Sequence, residues 1–293
     1  MSDTPHTDPG PHTNPTFTLG PALLFCPADR PDRYQKAAER SDAVILDLED
    51  AVAPADKPEA RAAVRAHWLQ APEQLRARTV VRVNAAGTQD FEADMAALED
   101  LDLRYVMLAK TERLQDVEVL HSRMPAVQVI ALVETAAGAA AAPDIAAHPA
   151  TAAMMWGAED LIASLGGTSS RRPDGGYRDI ARYVRSTVLL HCAAHGRAAI
   201  DSIYADIADS EGLAEEAADA VASGFAAKAC IHPGQVATIR TAYRPTAEQL
   251  EYAEALLAEV ERHGGAFQFR GAMVDAPLIR HAERIVQRGG SAD

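Results

Sequence analysis

Short apolar runs alternate with longer Ala-rich stretches of helical period along most of the chain. Eight runs stand out: ALLFC (22–26), AVILDLE (43–49), TVVRVN (79–84), YVMLAK (105–110), QVIALVET (128–135), TAAMMWGAED (151–160), AAIDSIYAD (198–206) and AKACIHP (227–233). Each is too short for a helix and apolar on both faces, as strands of a parallel sheet covered on both sides should be. The stretches between them predict amphipathic helices. Over 56–70, Asp56 and Glu59 form a capping-box pattern with Pro58 in the first turn. Over 246–263, Leu250, Ala253, Leu257 and Val260 make one apolar stripe, ended by Gly264 and Gly265.

The strand starts lie about 20–47 residues apart, a βα spacing without internal hairpins. Eight such units in roughly 210 residues predict an α/β fold, a (β/α)8 TIM barrel over 18–245. The rival, an open doubly wound sheet, usually carries a Gly-rich first turn, and neither GxGxxG nor GxxxxGKS/T follows any run. Residues 1–17 are rich in Pro, Thr and His and read as a disordered tail. The remainder, 246–293, reads as a C-terminal helical extension, with a last helix from about Pro277 to Gly289. A closed barrel does not need it, so it is expected to cap a site or pack on a neighbouring subunit.

Composition narrows the function. Across 293 residues, 42 acidic against 28 basic side chains leave a formal charge of −14. Such a chain repels phosphate backbones, which argues against general nucleic-acid binding. No stretch approaches the ~18–20 apolar residues of a membrane span, and 1–17 resembles neither a signal nor a transit peptide. Cys26, Cys192 and Cys230 are far apart, with no CxxC, which points to a reduced, cytoplasmic protein.

Chemistry in such a barrel sits at the C-terminal ends of the strands. There the chain places Asp47, Glu49 and Asp50, then Arg82 and Asn84, Lys110, Glu134, Glu159 and Asp160, Asp201 and Asp206, and His232. One charge at a strand end often only solvates a loop; seven consecutive strands ending this way point to a convergent polar site. Carboxylates outnumber bases, which is costly without a cation, and an all-oxygen donor set selects Mg²⁺ or Mn²⁺. Arg82 is then the natural clamp for a substrate carboxylate. Three local patterns compete. His191 and His195 have a zinc-compatible spacing but no HExxH, and His195-Gly196 reads better as a helix end. The run 201–212 lacks the spacing of an EF-hand and reads as a strand end with an ordered loop. Segment 30–40 is a basic island, either a solvated helix face or a phosphate site.

The runs LLFCPADRPDRYQKA, VILDLEDAVAPADKPEAR, VVRVN, VETAAG, GAEDLIASLGGTSS, AIDSIYADIAD, GFAAKACIHPGQV and GAMVDAPLI occur in this order. Together, over about 20–287, they resemble the citrate lyase β-subunit-like family of phosphoenolpyruvate/pyruvate-type barrels, which includes malyl-CoA and citramalyl-CoA lyases. The resemblance implies Mg²⁺ on Glu134 and Asp160, a substrate carboxylate on Arg82, and supporting acids at Asp47, Glu49 and Asp50. It also implies substrate contacts near Gly157 and Glu159, with backbone N–H donors over 157–160. The implied activity is cleavage of a 3-hydroxyacyl thioester of citryl-CoA type, on CoA or an acyl carrier, to acetyl-CoA and a small α-keto acid. In such proteins the C-terminal segment reaches over a neighbour in a homotrimer or hexamer, and Asp275 would act as acid/base there. Arg30, Arg33 and Lys36 are candidate CoA phosphate contacts, although Cys26-Pro27-Ala28 replaces the family's usual Val-Pro-Gly turn. The alternatives are a malyl-CoA or citramalyl-CoA lyase, a malate-synthase-like thioester hydrolase, a CoA-independent aldolase, or a non-catalytic subunit.

Overall fold

A computed structural model describes residues 17–260, 262–263 and 266–290. The eight apolar runs become eight strands: β1 (Ala22–Pro27), β2 (Ala43–Asp47), β3 (Thr79–Val83), β4 (Tyr105–Leu108), β5 (Gln128–Val133), β6 (Thr151–Trp156), β7 (Ala198–Asp201) and β8 (Ala227–Cys230). All neighbours are parallel, and β8 pairs back onto β1, so the sheet closes into a barrel in sequence order. Between the strands run helices such as Pro31–Arg40, Lys57–Gln70, Ala136–Ala147 and Asp179–Ala194.

Strand alternation divides the apolar core in two. Leu23, Ile45, Val80, Met107, Ile130, Leu132, Met155 and Ile200 form the cluster that fills the barrel. The residues between them, among them Leu24, Leu46, Val81, Val106, Ala131, Trp156, Ala199 and Cys230, pack with the helices. At the N-terminal end, the edge of Phe17 meets the face of Tyr105 with ring centroids 6.0 Å apart. Phe17 therefore belongs to the barrel floor rather than to the tail, whose other residues, 1–16, lie outside the described residues.

Two local expectations change. The helix expected over 56–70 begins at Lys57, with Pro58 in its first turn, but Asp56 makes no side-chain cap because its backbone is already helical. The extension contains the two expected helices, Ala247–Val260 and Ala276–Gly290, joined by an unexpected hairpin of β9 (Phe267–Phe269) and β10 (Ala272–Val274). Arg270 and Gly271, at φ +46° and +87°, form its tight turn. The arm has its own small core of Ala253, Leu256, Val274 and Ala282. Gly264 and Gly265, read as the stop of the first arm helix, lie outside the described residues. Elsewhere His195 does cap the helix Asp179–Ala194, as its neighbour Gly196 suggests. No helix among the described residues is long and apolar enough to cross a membrane.

Candidate active site

Asp47 ends β2 on the same face as Ala43 and Ile45, and Arg82 lies on β3 in register with it. Both therefore turn into the barrel mouth. Arg82 donates from Nε and Nη2 to the two Asp47 oxygens, each at 2.7 Å. Its Nη1 lies 3.0 Å from Glu49 Oε2, and its guanidinium stacks over Phe25 at 5.0 Å. Donors on Nη1 and Nη2 remain for an incoming carboxylate. Glu134, just past β5 and on the face of Ile130 and Leu132, is buried and accepts the Lys110 backbone N–H at 3.0 Å.

Lys110 is the residue whose importance the sequence reading missed. Its ammonium bonds Glu49 and lies 3.2 Å from Asp50 and 3.6 Å from Asp160. It thus joins four acids, counting its backbone bond to Glu134. The signal was present, a lysine ending an apolar run, but nothing in the run shows the left-handed backbone at φ +45° that aims it.

The electrostatics follow from burial. Desolvation pushes the Glu134 carboxyl up to about 8; Arg82 opposes this while Asp160 and Glu49 add to it. Burial likewise raises Glu49 despite Arg82 and Lys110. Asp50 is more open; burial there is outweighed by Lys110 and by its bond with Glu49, so its carboxyl lies below the usual value. Burial alone would discharge Lys110, but Glu49, Glu134 and Asp160 hold its charge well above the ordinary range. The mouth is therefore an acid-rich pocket in which the buried Glu134 carboxylate is short of positive charge. Among the described residues no group of three or more His, Cys, Asp or Glu side chains is arranged to hold a metal. A pair such as Glu134 and Asp160 nevertheless fits Mg²⁺, which keeps several waters and takes only one or two carboxylates.

Gly157 shows how tightly this is built. A Cβ there would lie 2.8 Å from both Cβ and Oε2 of Glu134. Its N–H is used by Val133 O at 3.1 Å, and the helix Ala158–Ser164 that follows has no side-chain cap. Its first N–H groups are thus available at the mouth. Gly157→Ala is expected to push Glu134 aside, lowering kcat by about 10²-fold while the far-ultraviolet circular dichroism stays unchanged. Wild-type turnover in a folded Gly157→Ala protein would overturn this account of the glycine.

Other strand-end residues go elsewhere. Asp201 and Lys228 share the outward face with Ala199 and Cys230, so they meet the helix layer. Asp201 is fully buried, receiving bonds from Trp156 Nε1 (2.8 Å), Arg185 Nε (2.9 Å) and Lys228 Nζ (2.9 Å). Burial would raise its carboxyl, but Lys228 and Arg185 hold it below the usual value. Asn84 bonds Lys57 and Asp94, the latter also held by Arg61 at 2.6 Å. Glu159 accepts from Ser170 Oγ at 2.5 Å, Asp206 caps a loop, and His232 Nδ1 accepts from Gly234 N. The convergent site thus draws on the ends of β2 to β6, not on seven strands. Asp275 lies at the start of the last helix, 3.5 Å from Leu278 N, and among the described residues it makes no hydrogen bond or ion pair with the mouth. Arg30, Arg33 and Lys36 are exposed on and before the helix Pro31–Arg40, just beyond the C-terminal end of β1.

The family model of HpcH/HpaI aldolase/citrate lyase matches residues 22–233. A citrate lyase subunit beta-like protein of Mycobacterium tuberculosis is 55% identical over 93% of this chain and 97% of its own length. A (3S)-malyl-CoA thioesterase of Cereibacter sphaeroides is 32% identical over 91% of this chain and 92% of its own. A crystal structure of M. tuberculosis CitE in complex with magnesium, acetoacetate and coenzyme A superposes with a TM-score of 0.85. It is 53% identical and covers 93% of this chain and 98% of that one.

Proposed function

This chain belongs to the HpcH/HpaI aldolase/citrate lyase family, and from that premise we propose that it is a Mg²⁺-dependent carbon–carbon lyase. Its substrate is a 3-hydroxyacyl thioester of citryl-CoA type, cleaved to acetyl-CoA and oxaloacetate. The observation that carries this reading is the buried Glu134 carboxylate, set beside Asp160 and linked through Lys110 and Glu49 to Arg82. The magnesium and coenzyme A bound by the M. tuberculosis relative support it.

Glu134 and Asp160 would hold the metal. When bound, magnesium would supply Lewis-acid stabilisation of the substrate alkoxide whose collapse to the keto acid breaks the C–C bond. Arg82, braced by Asp47, offers its remaining donors to the carboxylate of the keto-acid half. Glu49 and Asp50 anchor Lys110, which keeps the mouth from carrying uncompensated negative charge. The substrate hydroxyl gives up its proton on the way to the keto acid, and the acetyl thioester leaves as an enolate whose carbon takes up a proton in exchange. Asp275 supplies it from a neighbouring subunit of a homotrimer or hexamer, since its own barrel mouth is out of reach of its hydrogen bonds. Arg30, Arg33 and Lys36 give the CoA phosphates a basic approach on an otherwise acidic protein.

Purified protein is expected to release acetyl-CoA and oxaloacetate from citryl-CoA with Mg²⁺, and to stop with chelator. Mixing inactive Asp275→Ala and Arg82→Ala proteins should restore part of the activity through mixed oligomers. Turnover that survives complete metal removal would refute the metal role; absence of rescue despite demonstrated subunit exchange would refute the shared site. The malyl-CoA thioesterase relative favours a second reading, hydrolysis of the thioester. Release of free CoA instead of acetyl-CoA, from malyl-CoA rather than citryl-CoA, identifies that outcome.

A further inference from the structure

At the opposite end of the barrel from the acidic mouth, a cavity of about 610 Å³ lies between the strand starts and the last helix. Its walls include Asp42 and Ala226, which precede β2 and β8, and Pro21, which precedes β1. Its lining combines the apolar Phe17, Leu19 and Pro21 with three arginines, Arg240, Arg244 and Arg288. Only one carboxylate, Asp42, faces these three guanidiniums among the lining residues. It is already committed to Arg240, with Nη2 to Oδ1 at 2.9 Å, and to the Ala22 backbone N–H at 2.9 Å. Arg244 and Arg288 form no ion pair among the described residues.

Two buried polar atoms of lining residues also lack partners. Tyr243 is only 7% exposed and lines the cavity, yet its hydroxyl makes no hydrogen bond among the described residues. The buried Nε of Arg288 is likewise unpaired. Burial and the nearby Arg284 push the Arg288 guanidinium down from its ordinary value, while burial keeps the Tyr243 phenol protonated and able to donate. Buried donors without acceptors are costly, and on a chain of net charge −14 a local excess of guanidinium is the opposite of the surface at large. The cavity is the size of a pocket for a small organic ligand.

We propose that this cavity is a second ligand site, which binds a small organic polyanion through the guanidiniums of Arg244 and Arg288, with the ligand's carbon skeleton against Phe17 and Leu19. The shared chemistry is an oxyanion facing paired guanidiniums, and both carboxylates and phosphates supply it. The site stands apart from the mouth and does not depend on the catalytic reading.

Calorimetric titration of metal-free protein with citrate and, separately, with inorganic phosphate tests it. At least one probe should bind with a submillimolar Kd, and Arg244→Met and Arg288→Met should each weaken it about ten-fold or more. Arg82→Lys, at the mouth, should leave it unchanged. A preference for citrate marks a polycarboxylate ligand; a preference for phosphate marks a phosphorylated one. Arg244 is exposed, so its replacement reads binding without threatening the fold. Absence of binding by both probes up to about 10 mM, undiminished affinity in the Arg244 and Arg288 variants, or loss of binding in Arg82→Lys would each overturn the proposal.

Discussion

Replacing Glu134 with glutamine should lower kcat/KM for the thioester by about 10³-fold or more and, in the same protein, raise or leave unchanged the melting temperature without metal. The two effects have one origin. The mouth holds Glu134 against desolvation beside Asp160 and Glu49, so its carboxyl titrates at about 8 rather than the ordinary 4.5. In metal-free protein the folded state therefore keeps a proton that the unfolded chain releases. The associated stability is complete below about pH 4.5 and is lost as pH rises toward 8. Glutamine fills the same space without a charge to bury, so its melting temperature should lose this part of the decline between pH 5 and 8. Activity goes the other way under the proposed function, in which Glu134 holds the metal: losing that carboxylate then removes several kcal/mol of transition-state stabilisation, and about 1.4 kcal/mol is a factor of ten. Melting curves in chelator across that range, set beside initial rates with Mg²⁺, measure both. A variant as active as wild type, or one with an unchanged pH slope of stability, would contradict the assignment.

Asp201→Ala should be the most destabilising single change outside the apolar core. It would take from the fully buried Lys228 and from Arg185 their shared carboxylate, leaving Lys228 only the more open Glu216 at 2.8 Å and Arg185 the exposed Asp219 at 2.6 Å, and Trp156 without its acceptor. Breaking a buried ion pair by removing one partner costs about 3–5 kcal/mol. In a protein of this size that corresponds to a fall in melting temperature of about 10 °C. Adding Lys228→Met should recover part of the loss, since the stranded ammonium is then gone too. Thermal denaturation of the single and double variants decides it. A drop of only a degree or two in the single variant would mean that water or Glu216 satisfies Lys228 unaided.

These two residues also show what could be read in the sequence and what could not. The eight strands were legible because each is a short, predominantly apolar run, bounded by helical stretches. So were Arg82 and Glu134, as isolated charges ending such runs. Asp201 stood out equally in its run, yet it faces the helices because it shares the parity of Ala199 rather than Ile200. Strand-end position alone does not separate mouth from structural network; parity counted from the buried positions does. Lys110 was read as a strand-end charge, but its role in linking the acids was not, because its aim comes from its own left-handed backbone. The hairpin of β9 and β10 was missed because its turn is Arg270-Gly271 rather than the stronger Asn-Gly or Asp-Gly signal. At Asp56, spacing suggested a cap, but a residue with helical backbone cannot reach round to cap its own helix.

The separate core of the arm bears on how such a protein tolerates mutation. Ala253, Leu256, Val274 and Ala282 pack among themselves, while the family model's match ends at residue 233, before the arm begins. A mutation there need not be reconciled with the interlocked layers of the barrel, where one changed volume disturbs many neighbours. The two cores can therefore fail separately: a substitution that loosens the arm is felt first by the arm's own few contacts, while the closed sheet of the barrel keeps its layers.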